Sequence, residues 1–194
     1  MRTIVLASSS PRRKEILAIT GLSFTVCESD YEEDLGLSLT PRALARFLSR
    51  KKAEAVAAKF VNAIIIAADT FIIHRGNLLG KPRSKTDAQR MLASLGGTCH
   101  SVITGYTVAD TEKGRILSRS VETKVHFRNL LAREIADYVR SGEPMGKAGA
   151  YAIQGLGAVL VEKIEGDFFN VMGLPLCSLA KNLKTFGIDV LGRR

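Results

Sequence analysis

Three stretches of this 194-residue chain hold residues whose types and spacing could do chemistry on an anion. The first is Ala7-Ser8-Ser9-Ser10-Pro11-Arg12-Arg13, which follows the apolar run Thr3-Ile4-Val5-Leu6 and precedes an apolar helical pattern containing Ile16 and Leu17. This reads as a strand, a hydroxyl-rich turn and a helix start, with Ser10 as N-cap and Pro11 at the first helical position, where its missing N–H costs nothing. Unpaired amides, the positive end of the helix dipole, serine hydroxyls and two arginines together suit a phosphate. The same residues also suit a plain strand-to-helix connection with solvated arginines. The second stretch is Asp69-Thr70, set between the apolar runs Ala63–Ala68 and Phe71–Ile73. An acid at the carboxyl end of a buried strand is placed where open α/β sheets bind ligands, although Asp and Thr also cap turns. The third is the glycine-rich run from Ser141 to Gly157, too long for a turn, with Lys147, Tyr151 and Gln154 in it. Glycine lets backbone approach a ligand, and the Gln154 amide offers donor and acceptor side by side, as reading a base edge requires.

Other charged groups are candidates by position. Lys81 lies in a Gly80-Lys81-Pro82 turn, from which an ammonium near Asp69 would meet a phosphate as a point charge. The acidic patch Asp30-Tyr31-Glu32-Glu33-Asp34 is a solvated loop or a holder of a divalent cation. His100 and His126 have no partner at metal-ligand spacing and read as structural or surface residues. Cys27, Cys99 and Cys177 are an odd number, widely spaced, which predicts free thiols in a reducing compartment.

The elements that must position these groups follow from periodicity. Ala63–Ala68 is β-branched and apolar on successive residues, the pattern of a central strand buried on both faces, with a second strand at Phe71–His74. Leu22–Val26 reads as a short strand. Thr40-Pro41 opens a helix to Ala58, Ser84 caps another ending at Gly96-Gly97, and Ala132–Arg140 forms a third with Ile135, Tyr138 and Val139 inward. His100–Val108 and Ile116–Phe127 read as an antiparallel hairpin, Ala158–Val161 as a strand, and Gly173-Leu174-Pro175-Leu176 leads into a closing helix. Length and 46% hydrophobic content suit one α/β domain over residues 1–194, without a membrane-spanning run or a cleaved leader. The net charge of +9 raises nucleic acid as a partner, but the basic residues are dispersed and Trp is absent. A small polyphosphate satisfies that charge at least as well.

Six motifs taken in order, Ala-Ser-Ser-Ser-Pro-Arg-Arg at 7–13, Ala-Asp-Thr at 68–70, Gly-Lys-Pro at 80–82, Lys-Ala-Gly-Ala-Tyr at 147–151, Ile-Gln-Gly at 153–155 and Gly-Leu-Pro-Leu at 173–176, resemble the Maf family of nucleoside triphosphate pyrophosphatases. The resemblance spans nearly the whole chain. It implies an elongated mixed sheet flanked by helices, related to the inosine triphosphatase class, in a cytoplasmic homodimer that uses Mg²⁺ or Mn²⁺ to cleave a nucleotide between its α- and β-phosphates. It also implies Asp69 as catalytic acid, Ser8, Arg12, Arg13, Lys52 and Lys81 as phosphate ligands, and Glu33 with Asp69 at the metal. Arg12, Thr70 and Gln154 are similar to the positions that mark the group acting on dTTP and UTP; the sister group acting on 7-methyl-GTP has an aromatic residue, Gln and Glu there. A carboxylate suits cationic 7-methylguanine, whereas a neutral amide matches the imide edge of thymine or uracil. Gly146 departs from the family pattern, which has an acid before Lys-Ala-Gly, and this bears on how Lys147 is oriented. Two other classes are compatible with the sequence: a nucleic-acid-binding or septum-regulating protein without catalysis, suggested by the charge and the family's association with septum formation, and a broader house-cleaning pyrophosphatase for modified nucleotides.

Overall fold

The computed structural model describes residues 2–32 and 37–192. Its elements, in chain order, are β1 (Thr3–Ala7), α1 (Pro11–Ala18), β2 (Thr25–Val26), α2 (Pro41–Ala57), β3 (Ala63–His74), β4 (Asn77–Leu79), α3 (Lys85–Leu95), β5 (Cys99–Asp110), β6 (Arg115–Phe127), α4 (Ala132–Arg140), β7 (Val161–Glu165), α5 (Phe168–Met172) and α6 (Leu176–Lys184). The strands form one seven-stranded sheet ordered β2-β1-β3-β5-β6-β7, with β4 paired to β3 off this path. The expected α/β sheet flanked by helices is therefore present. The chain packs as two compact units, one of Met1–Asp69, Thr104–Val121 and Gly173–Arg194, the other of Thr70–Ile103 and Glu122–Met172.

In the first unit β1 runs parallel to β3, with partners from Thr3↔Ala63 to Ala7↔Ala67. Successive residues Ile64, Ile65, Ile66, Ala67 and Ala68 are all fully buried, as the double-faced apolar pattern predicts. One face of this strand pair, Val5 and Ala7 with Ala63, Ile65 and Ala67, packs against Ala53 and Val56 of α2. α2 begins where the sequence indicates, since Thr40 Oγ1 accepts from the Ala43 amide and Pro41 takes the first turn. The helix approaches β5 so closely that a Cβ at Gly105 would fall 2.0 Å from the Ala45 carbonyl oxygen, so no larger residue fits there.

In the second unit β3 continues past Thr70 and turns to a new partner, pairing Ile72↔Leu79 and His74↔Asn77 antiparallel with β4. α3 and α4 pack together there, α4 burying Ile135, Tyr138 and Val139 as its periodicity predicts. Three readings need correction. β3 is one strand through Asp69 and Thr70 and does not end before them. Ala158–Leu160 belongs to a 3-10 helix over Leu156–Leu160, and the strand starts only at Val161. Capture of the Leu156 and Gly157 amides by the Glu143 carboxylate curls this apolar stretch, leaving Val159 on the surface. Finally, β2 is only Thr25–Val26, because its partner β1 offers just Val5 and Leu6 to it.

Candidate active site

The register of β1 on β3 builds the first part of the site. Their last pair is Ala7↔Ala67; one residue further the chain enters the Ser8–Ser10 turn, and two residues further along β3 stands Asp69. Asp69 is thus at the middle of its own strand but beyond the carboxyl end of its parallel neighbour, and this preserves the strand-end logic. Its side chain is nearly buried, and Oδ1 accepts a 2.5 Å hydrogen bond from Nζ of Lys52 on α2. Lys52 is spaced from Ala53 and Val56 so that it leaves the helix beside the face that packs on β3. Two residues marked separately in the sequence are therefore one ion pair.

In the turn, Ser10 caps α1, its hydroxyl accepting from the Arg13 amide at 3.5 Å, a long bond. Ser8, itself buried, accepts at Oγ from the Ser10 amide and from Nη1 of Arg13, each at 3.2 Å. Nε of Arg13 donates to the Gly173 carbonyl at 2.9 Å, so the guanidinium is fixed between the first turn and the Gly-Leu-Pro-Leu segment. Arg12 is half-buried. Thr70 follows Asp69 in β3 and, by strand alternation, points to the opposite face of the sheet. Glu33 lies outside the described residues, and among those described no group of three His, Cys, Asp or Glu side chains is arranged to hold a metal ion. Asp69, whose Oδ1 accepts from Lys52, is a described carboxylate beside the Ser8–Arg13 turn. One or two carboxylates plus substrate phosphates are the usual protein share of a Mg²⁺ site, so the residues fit such an ion.

The second unit carries Lys81 and Gln154, both exposed. Their loops are joined: the Gly149 amide donates to the Gly80 carbonyl at 2.9 Å, which ties the Lys-Ala-Gly-Ala-Tyr run to the Gly-Lys-Pro turn. Gly149 has φ +67° and lies against Ile72 of β3, where a Cβ would fall 2.4 Å from the Ile72 Cδ1. Only glycine meets both demands. Lys147, whose orientation the Gly146 departure put in question, donates from Nζ to the Glu143 carbonyl.

Below this loop His100 is a structural residue, as expected. It is buried in edge-to-face contact with Phe127 and Tyr151, and its Nε2 lies 2.8 Å from the Tyr151 hydroxyl. Burial holds its pKa down at about 3, helped by the charges of His74 and His126, and burial likewise pushes the Tyr151 phenol up. His126, half-exposed, sits 3.2 Å from Glu165. Cys27, Cys99 and Cys177 are free thiols.

Sequence reasoning missed Glu143. Its carboxylate accepts from the amides of Leu156 and Gly157 and from the Tyr138 hydroxyl, each at 2.9 Å. Burial raises its pKa, but those hydrogen bonds and nearby Lys147 outweigh burial and hold it below the ordinary glutamate value. The available signal was an acid in the Gly142-Glu143-Pro144 turn at the mouth of a glycine-rich loop.

A family profile described as Maf-like protein matches residues 3–186. A protein of Methanococcoides burtonii named dTTP/UTP pyrophosphatase is 48% identical over 98% of this chain and 98% of its own. One of Moorella thermoacetica with the same name is 48% identical over the full length of both chains. The solved structure of the Staphylococcus aureus Ham1 protein is similar with a TM-score of 0.45 and 14% identity, over 65% of this chain and 72% of that one.

Proposed function

This chain belongs to the family of Maf-like proteins, and from that premise we propose that it is a nucleoside triphosphate pyrophosphatase that hydrolyses dTTP and UTP to the monophosphate and pyrophosphate. The observation that carries the reading is the full-length likeness to relatives named dTTP/UTP pyrophosphatase, beside the six motifs that this chain holds in order. The geometry supplies a consistent chemistry. A water beside Asp69 gives up a proton to its carboxylate as the water oxygen attacks the α-phosphorus. The bond to the bridging oxygen breaks and pyrophosphate leaves. Lys52 fixes the carboxylate in place through its ion pair. Arg13, held by Ser8 and Gly173, keeps its positive charge in a preset place for phosphate oxygens, so little ordering is left to do when substrate binds. Arg12, Ser8, Lys52 and Lys81 complete the proposed phosphate ligands.

A divalent cation, Mg²⁺ or Mn²⁺, held by Asp69 with Glu33 and phosphate oxygens, would supply neutralisation of the polyphosphate charge. Gln154, with Arg12 and Thr70, would set the preference for thymine and uracil. The reading extends to a cytoplasmic homodimer on the family resemblance, and it assigns the +9 charge to a small polyanionic substrate in place of nucleic acid. No described helix is long and apolar enough to cross a membrane. The test is pyrophosphate release from purified protein with dTTP, UTP, CTP, GTP and 7-methyl-GTP, each with Mg²⁺ or Mn²⁺. Release greatest from dTTP and UTP supports the reading, and release from none of them overturns it. Preferential turnover of a modified pyrimidine when the panel is widened would shift the reading to the house-cleaning class.

A further inference from the structure

Gln154 can select a base only if its amide is held at a fixed angle and height, and an exposed side chain on a glycine-rich loop does not hold itself. The hydrogen bonds around it show what does. Before Gln154, the Ala152 amide donates to the Tyr138 hydroxyl at 3.1 Å. After it, the amides of Leu156 and Gly157 donate to the two carboxylate oxygens of Glu143 at 2.9 Å each. Tyr138 in turn donates to Glu143 Oε1, so both feet of the five-residue arch Ala152–Leu156 rest on one bonded pair. Gly155 packs against the same carboxylate: with φ +126°, a Cβ there would fall 2.5 Å from Glu143 Oε2. Gln154 is at the crown of this arch, facing outward.

We infer that Glu143, braced by Tyr138, is a positioning residue for base selection, clamping the arch so that Gln154 meets thymine or uracil preset. This rests on the reading of Gln154 as the base-reading group. A carboxylate suits the task because it is acceptor-only and offers one oxygen to each of two adjacent amides. A glutamine at this position keeps the shape but turns an NH₂ toward one of those amides. The arch would then be ordered only at the moment of binding, and that ordering cost is charged to affinity.

The test is the ratio of kcat/KM for dTTP to that for GTP, measured for four proteins: parent, Glu143→Gln, Gln154→Ala and the double variant. The expected result is a fall of about tenfold in the ratio for Gln154→Ala and a smaller fall for Glu143→Gln. The latter is carried by a raised KM for dTTP with kcat within about twofold, since the α-phosphate chemistry lies elsewhere in the substrate. In the Gln154→Ala background, Glu143→Gln should change the ratio by less than about twofold, the non-additivity of two residues acting through one contact. A merely structural Glu143 would depress all substrates alike and leave the ratio unmoved. If Gln154→Ala leaves the ratio unchanged, the base is read elsewhere, and both the base-reading role and the clamp are overturned. If Gln154→Ala collapses the ratio while Glu143→Gln spares it, or adds its full effect in the double variant, the base-reading role stands and the clamp is overturned. Should Glu143→Gln not fold, Tyr138→Phe removes the hydroxyl bracing both feet and is judged by the same criteria.

Discussion

Replacing Asp69 by Asn perturbs two things at once, and the structure separates them. Its carboxylate is proposed to take a proton from water, and it is also the anionic half of a pair with Lys52 whose side chains are 9% and 13% exposed. Removing one partner of a buried pair costs ~3–5 kcal/mol, because a charge–charge contact is lost where water screens it little. The Asn amide oxygen still accepts from the ammonium and retains about 1 kcal/mol of that. The net expectation is a loss of roughly 2–4 kcal/mol, which in a protein of this size lowers Tm by roughly 5–15 °C. Turnover should fall by ~10² or more at a temperature where the variant remains folded, the scale for losing a positioned base. Thermal unfolding followed by circular dichroism, with dTTP turnover measured well below the transition, reads both effects. The double variant Lys52→Met with Asp69→Asn removes both charges of the pair and measures their coupling, with turnover remaining as low as in Asp69→Asn. Strictly additive stability losses in the double variant would refute the ion-pair argument, and near-parental turnover in Asp69→Asn would refute the catalytic one.

Three further outcomes are expected. Gln154→Glu should weaken turnover of dTTP and UTP relative to 7-methyl-GTP in the same pyrophosphate assay, since a carboxylate suits the cationic base; unchanged selectivity would contradict a role in base choice. Gly149→Ala should destabilise by more than about 1 kcal/mol in urea unfolding, since it forces a side chain into φ +67° and against Ile72. His100 stays neutral in the fold down to about pH 3, whereas in the unfolded chain it takes up a proton below about pH 6.5. The unfolded state therefore binds more protons between those values, and stability falls as pH drops through that window, by on the order of 2 kcal/mol at pH 5. His100→Gln should lower stability overall but flatten that decline in melts taken from pH 7 to pH 4, and an unchanged slope would remove His100 as its source.

Much of the architecture was legible because it rests on local chemistry. Thr40-Pro41 and Ser84 start their helices as caps should, and the run of isoleucines before Asp69 is buried on both faces. What was hidden rests on partners distant in sequence. β3 runs straight through Asp69 because it exchanges β1 for β4 along its length, and no local pattern records a change of neighbour. Ala158–Leu160 has the composition of a strand but is curled by Glu143, more than a dozen residues earlier. In the site, residue types pointed to Asp69 and the Ser8–Arg13 turn and the family resemblance to Lys52, whereas the ion pair, the bracing of Arg13 by the Gly173 carbonyl and the hydrogen bonds of Glu143 to the Leu156 and Gly157 amides needed three-dimensional structure.

The central claim is attack of water on the α-phosphorus with pyrophosphate as leaving group, and dTTP hydrolysis in ¹⁸O-labelled water tests it most directly. The account predicts one labelled oxygen in the dTMP product and none in pyrophosphate. Label in pyrophosphate, or orthophosphate released with dTDP, would contradict it.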